Sequence, residues 1–360
     1  MIDLKKILLI VQLFIVCTLS NAQIRDFGRF ATTGAADAQE LFEAYITPYF
    51  NGFGASLTGS WYNTAKPHKL GGFDITFSLN SAMVPESDRT YLVENLDLEN
   101  LQHAPGGELV SPTMAGIREA GPLMQYNIST GDSTFTADAF NLPAGTAIPY
   151  TPAPMLQAAV GLIKGTEIIG RFVPKVGNDK GKLGLWGVGL KHDIKQWIPG
   201  FNKTPVINLS IMGGYTRFNS IIQMAVTPGM LNLQNFIDVP SETWDNQSMI
   251  ATISSFTSNI VISADLSVVT FYGGAGFAIT NSNIRLEGNY PVISDIDENG
   301  PVVTALNNPL DITIKNYEGG VTKPRINAGV RLKLAIFTIH LDYTWANYSM
   351  ASLGLGFSFK

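Results

Sequence analysis

From Phe337 to Trp345 every second residue is large and apolar: Phe337, Ile339, Leu341, Tyr343 and Trp345 alternate with Thr338, His340, Asp342 and Thr344. A two-residue period belongs to a β-strand, with one greasy face and one polar face. The pattern recurs. Ile326, Ala328, Val330, Leu332 and Leu334 oppose Arg325, Asn327, Arg331 and Lys333, and Phe73, Ile75, Phe77 and Leu79 oppose Asp74, Thr76, Ser78 and Asn80. The final stretch, "ASLGLGFSFK", sets Leu353, Leu355, Phe357 and Phe359 against only Ser and Gly. Such faces span about the 9 to 11 residues that carry a tilted strand across a bilayer. An open sheet edge in lipid leaves backbone groups unpaired at several kcal/mol each, so the strands must close. The expected fold class is all-β, a transmembrane antiparallel β-barrel.

Composition agrees. Of 360 residues, 45% are hydrophobic and 15% charged, against roughly 25% charged in soluble domains. A medium other than water solvates much of this surface. The net charge of −5 without a basic stripe excludes nucleic acid as a partner. At the N-terminus Lys5 and Lys6 precede an apolar run from Ile7 to Val16, with Ser20 and Ala22 at the small positions of a cleavage site. This reads as a secretory signal over residues 1–22, cut after Ala22. Cys17 lies within it, so the exported chain is expected to use neither disulfides nor thiolate chemistry.

Eleven strands are legible, near 54–62, 71–80, 155–163, 166–174, 182–192, 206–218, 248–262, 266–280, 325–334, 336–346 and 350–359. An even count is required if both ends of a bacterial barrel face the periplasm. Candidates for further strands are "PLMQYNI" with "STFTADAF" and "NIRLEGNY" with "DITIKNY"; 12 to 14 strands are expected. The barrel would occupy residues 51–360, with long external loops within 81–154, 219–247 and 281–324. Ahead of it, residues 23–50 include a helical stretch, Ala35 to Tyr45, ended by Pro48. It would either plug the lumen as a hatch or lie beneath the barrel. In "HDIKQWIPGF" Ile194, Trp197 and Ile198 form a short interfacial turn.

Signals for catalysis are sparse. His68, His103, His192 and His340 are scattered, and no nucleophile elbow, P-loop or dinucleotide fingerprint is present. Neither a cofactor nor a metal is expected. His340 and Asp342 share the lumen face and suggest a dyad, but Arg331 and Lys333 face the same way, and mutual neutralisation inside the barrel is the expected role. Glu167 and Arg171 share a face and take the same reading. These six side chains are the expected lumen lining. Trp61, Tyr62, Tyr343, Trp345 and Tyr348 are expected in interfacial girdles.

"VGLIKGTEIIGRFVP", "GLWGVGLKHDIKQWIPGF" and the "GGYT" at Gly213 to Thr216 resemble an uncharacterised family of Bacteroidota outer-membrane barrels, over most of the mature length. That family distantly resembles the FadL-type transporters of long-chain fatty acids. The resemblance implies a 14-stranded barrel, an N-terminal hatch and passive passage of hydrophobic molecules. The Asn-Pro-Ala element common near the FadL N-terminus is absent here. The expected function is a passive channel in the cell outer membrane for small hydrophobic molecules such as fatty acids, with Met230 and Phe236 in an apolar external loop as ligand contacts. A secretion or surface-assembly scaffold is the alternative, ahead of a barrel lipid hydrolase; an enzyme is not expected. Expected partners are outer-membrane lipid, lipopolysaccharide and the barrel-insertion machinery, which would read the terminal aromatics Phe357 and Phe359. Deleting residues 356–360 should therefore deplete the protein from the outer membrane, as read by fractionation and immunoblotting. Normal membrane levels would remove that role.

Overall fold

Ten of the alternating segments form one antiparallel sheet that closes on itself. In this computed structural model, which describes residues 30, 33, 35–106, 109–130, 133–229, 240–297, 300–316 and 324–359, the wall strands are β1 (Phe73–Met83), β2 (Tyr150–Gly161), β3 (Thr166–Asn178), β4 (Gly181–Asp193), β5 (Ile207–Gln223), β6 (Ser248–Asp265), β7 (Val269–Glu287), β8 (Pro324–Leu334), β9 (Phe337–Trp345) and β10 (Met350–Phe359). Each pairs with the next, and β10 returns to β1 with Phe359 opposite Phe73, their rings stacked at 4.9 Å. Closure follows from the physics of lipid: a meander that returns to its first strand has no unpaired edge.

The wall is apolar outside. Leu341 and Leu355 are each more than half exposed, whereas their neighbours Thr338, His340 and Asp342 are buried within. The outward parity meets lipid and the inward parity meets a filled interior. Residues 162–165, 266–268 and 335–336 make short links at one end. The described parts of the long links between β1 and β2, β5 and β6, and β7 and β8 lie at the other. Trp197 stands exposed in the 194–206 link at the short-link end, where the interfacial turn was expected.

The count of ten differs from the expected 12 to 14. Residues 54–62 are not a strand; without them the ten remaining segments are already even. Of the extra hairpin candidates, "NIRLEGNY" is mostly the upper end of wall strand β7, and the other three are strands outside the wall. Leu123–Thr130 pairs with Ser133–Asn141 in the long link, and Asp311–Lys315 pairs with β7 beyond the reach of β8. Alternation identifies a strand but not the sheet it joins.

The helix α1 runs Ala35–Ser56, straight through Pro48, instead of ending there. Proline removes the intrahelical bond to the Ala44 carbonyl, yet the helix continues, packed on the long link, whose Met114 amide donates to the Tyr45 carbonyl at 2.9 Å. Leu41, Phe42, Tyr45 and Ile46 are buried against Met114, Met124 and Leu142 of the long link and Met249 and Ile284 of the wall. The helix C-terminus points into the lumen, where Ser56 Oγ donates to the Thr151 carbonyl (2.6 Å). Beyond it, residues 57–72 pass Trp61, Ala65 and His68 toward the short-link end, where β1 begins. The segment thus threads the barrel from the long-link end downward. The expected signal segment lies outside the described residues, as do Met230 and Phe236.

Leu341 sits mid-strand, so Leu341→Arg should cost about 2 to 4 kcal/mol, while Phe337→Arg at the strand end should cost about 0 to 1 kcal/mol. Urea titration of protein folded into liposomes would measure both; equal penalties would contradict a lipid-facing wall.

Candidate functional site: a plugged lumen and a split wall

The threaded segment is held by charge. A helix C-terminus carries roughly half a negative charge, and two buried arginines converge on that of α1. Arg171 of β3 donates to the Leu57 carbonyl (3.0 Å), to the Gly59 carbonyl and to Gln157 Oε1 (2.9 Å), and lies 3.6 Å over the Trp61 ring. Arg325 of β8 donates to Thr58 Oγ1 (2.6 Å) and the Thr58 carbonyl (3.3 Å). Both are fork-shaped donors suited to binding several acceptors at once. Below them Trp61 packs on Ala159, Ile169 and Met212. The wall makes room for it with glycine: a Cβ at Gly189 or Gly214 would lie 2.7 or 2.5 Å from the indole.

Glu167, on the same face as Arg171, pairs elsewhere. Its carboxylate meets Lys191 Nζ at 2.8 Å and His68 Nδ1 at 2.8 Å, tying the exit of the threaded segment to β3 and β4. The dyad that His340 and Asp342 suggest is not formed. Asp342 accepts the Tyr272 hydroxyl at 2.9 Å, and neither ring nitrogen of His340 has a hydrogen-bond partner. Residues two apart on one strand share a face but stand nearly 7 Å apart, so cross-strand groups reach Asp342 first. Arg331 is buried opposite His340, and Lys333 donates to Ser358 Oγ (3.0 Å). All six expected lining residues thus face inward, but their ion pairing is not the mutual one expected. Trp61 and Tyr62 are buried inside the lumen and Tyr348 donates to Asp88 (2.6 Å); of the expected girdle aromatics, Tyr343 and Trp345 face lipid. Phe357 and Phe359 are outward on the closing strand.

The wall itself is split. β2 pairs with β3 only from Gln157 opposite Arg171 to Gly161 opposite Glu167, although β2 pairs with β1 along its length. The Gly161 amide donates to Gly72 ahead of β1, so odd residues of β2 bond toward β1 and even residues face β3. Pro152 and Pro154 are even. Extending the register would set Pro154 opposite Pro174, two residues with no N–H at a position that requires donors. β3 also bulges between Val173 and Val176 against β4. The ladder therefore ends at Gln157, and the strands part toward the long-link end. Prolines inside alternating strands were the sequence signal for this split.

Beside it lies an apolar cavity of about 400 Å³ between α1, β1, β2, β5 and β6. Phe50 and Phe53 of the helix and Phe218 and Ile253 of the wall line its inner side; Leu79 and Tyr150, both on the membrane-facing surface, line its outer side. Phe53 and Phe218 meet edge to face at 4.9 Å. The cavity's lining includes hydroxyls but no charged residue. Polar groups below and the helix within thus close the barrel axially, while the wall opens laterally.

The arrangement predicts that native barrels conduct poorly. Arg171→Ala combined with Arg325→Ala should loosen the threaded segment and raise single-channel conductance in planar bilayers several-fold. Unchanged conductance in a folded double variant would mean that the arginines do not hold it.

Among solved structures, the chain is similar to the outer-membrane protease OmpT from Escherichia coli (10% identity, 80% of this chain and 97% of that chain covered, TM-score 0.30). It is also similar to Ail, the attachment invasion locus protein of Yersinia pestis (6%, 81% and 98%, 0.26), and to the P. putida toluene transporter TodX (6%, 80% and 90%, 0.21). At these scores the likenesses carry no argument about activity. No curated protein matches. The model of a family described as "Family of unknown function (DUF6588)" matches residues 4–359, and the chain belongs to that family.

Proposed function

We propose that this member of a family without an assigned activity is a passive, non-enzymatic port in the outer membrane, FadL-like in kind, that passes small hydrophobic molecules sideways into the bilayer. One observation carries the reading: the apolar cavity beside α1 is lined on the lumen side by Phe218 and Ile253 and on the membrane side by Leu79 and Tyr150, along the half of β2 that is not paired with β3. A hydrophobic molecule entering from the long-link end gains about 0.8 kcal/mol for each methylene taken out of water. The way down the axis is filled by residues 57–65, so the energetically open exit is lateral. With no cationic group in the lining, a fatty acid would seat its chain there and leave its carboxylate outside the apolar walls. The terminal aromatics Phe357 and Phe359 belong to the same proposal as the signal for membrane insertion.

Two variants separate storage from passage. Ala251→Trp should fill the cavity and weaken binding of the fluorophore N-phenyl-1-naphthylamine at least tenfold. Pro154→Val with Pro174→Val restores donors across the split, and should slow delivery of the fluorophore into liposomes several-fold while leaving its equilibrium binding in place. Wild-type binding in the Ala251→Trp protein, or wild-type delivery in the double variant, would overturn the lateral port.

A further inference from the structure

The helix separates two cavities of different character. Ile46, Tyr49, Phe50 and Phe53 follow the three- and four-residue spacing of one helical face and look into the apolar cavity. Asn51 and Ala55, four apart on another face, look with Thr58 into a second cavity of about 230 Å³. Its lining is mixed: beside Ala278, Ala346 and Met350 stand Lys315 and Asn316 from the strand Asp311–Lys315 and its end, Arg325 of β8, Thr344 of β9, Asn347 and Tyr348 of the β9–β10 link, and Asp88 of the long link. These links place its mouth at the long-link end.

Charge in this cavity is unbalanced. Arg325 is buried, and its hydrogen bonds go only to neutral groups: Thr58 twice, Thr257 Oγ1 and Thr344 Oγ1 (3.4 Å). Its Nε–H has no acceptor, and the Asp342 carboxylate acts on it only through space, with no carboxylate within ion-pairing distance among the described residues. The helix C-terminus offers roughly half a negative charge, and Arg171 shares it. Lys315 adds a second cation to the lining. The one carboxylate there, Asp88, is engaged by the Tyr348 hydroxyl (2.6 Å) and the Ser87 hydroxyl (2.8 Å). A buried cation is expensive unless an opposite charge accompanies it.

We propose that this second cavity is a binding site for a small oxyanion, a carboxylate or phosphate, entering from the long-link end. Arg325 and Lys315 supply positive charge to the lining and the amides of Asn316 and Asn347 supply donors, while the ligand adds negative charge beside two cations that no carboxylate among the described residues pairs directly. At about 30 Å³ per water the volume holds roughly seven waters, enough for inorganic phosphate or a short carboxylate. The site is independent of the hydrophobic port: it lies on the other face of α1 and shares no lining residue with the apolar cavity.

Isothermal titration of the full chain in a nonionic detergent, with inorganic phosphate and with acetate, tests the site. One saturable site is expected, weakened about tenfold in Lys315→Gln and at least as much in Arg325→Gln. Because Arg325 also holds Thr58, Lys315→Gln is the deciding variant, with folding checked by heat-dependent mobility in electrophoresis. Lys203→Gln, in the short-link turn, should bind as wild type. A parallel titration with a short-chain phosphatidylglycerol separates sources: binding as tight as that of free phosphate assigns a lipid headgroup, and weaker binding assigns a soluble anion. Absence of saturation in the wild type, or unchanged affinity in Lys315→Gln, would overturn the proposal. Fluorophore binding in the apolar cavity should be unaffected in Lys315→Gln, whose side chain does not line that cavity, so failure of this site and failure of the hydrophobic port are read separately.

Discussion

Backbone pairing in a medium without water is the constraint on which everything else here depends. Each unpaired N–H or C=O in lipid costs several kcal/mol, which is why ten strands close through Phe73 opposite Phe359 instead of ending in free edges. Against that background the unpaired upper half of β2 is the exception that requires an explanation. The chain lowers its cost by composition: proline at 152, 154 and 174 removes three donors where β3 has moved away.

The interior follows a second rule. A ten-stranded wall encloses more space than its own side chains fill, and this chain fills it with its N-terminal segment. Small wall residues, Gly189 and Gly214 under Trp61, let the segment approach the sheet. Arginines at 171 and 325 then fix the helix end, each satisfying carbonyls that the last turn of a helix leaves open. Because α1 descends from the long-link end, the segment and the barrel must be assembled together; a wall closed first would have to be threaded by a folded helix.

That single helix also organises the chemistry. One face completes an apolar cavity lined on its outer side by membrane-facing residues and another completes a cavity of mixed lining facing the long links. The two environments stay distinct because α1 and the arginine-bound carbonyls at its end stand between them.

Much of the wall was legible from residue order. Alternation through Phe337–Trp345 and Met350–Phe359 gives strand, face and medium at once, because a two-residue period with no charge on the outer face suits only a lipid-facing sheet. The same rule failed at 54–62, where small residues alternate without forming a strand, and overcounted at Leu123–Thr130, which pairs outside the wall. Inward parity grouped Arg171, Glu167, Arg331, His340 and Asp342, all buried in the structure, yet their partners were not readable. Glu167 meets Lys191 and His68, and Arg171 meets Leu57, across separations that only closure of the barrel creates. Residue order therefore determined that this chain forms a lipid-facing β-barrel preceded by a helix. Tertiary structure alone decided that the helix enters the lumen, that the prolines split the wall, and which groups meet each buried charge, since each depends on strands brought together by pairing at long range.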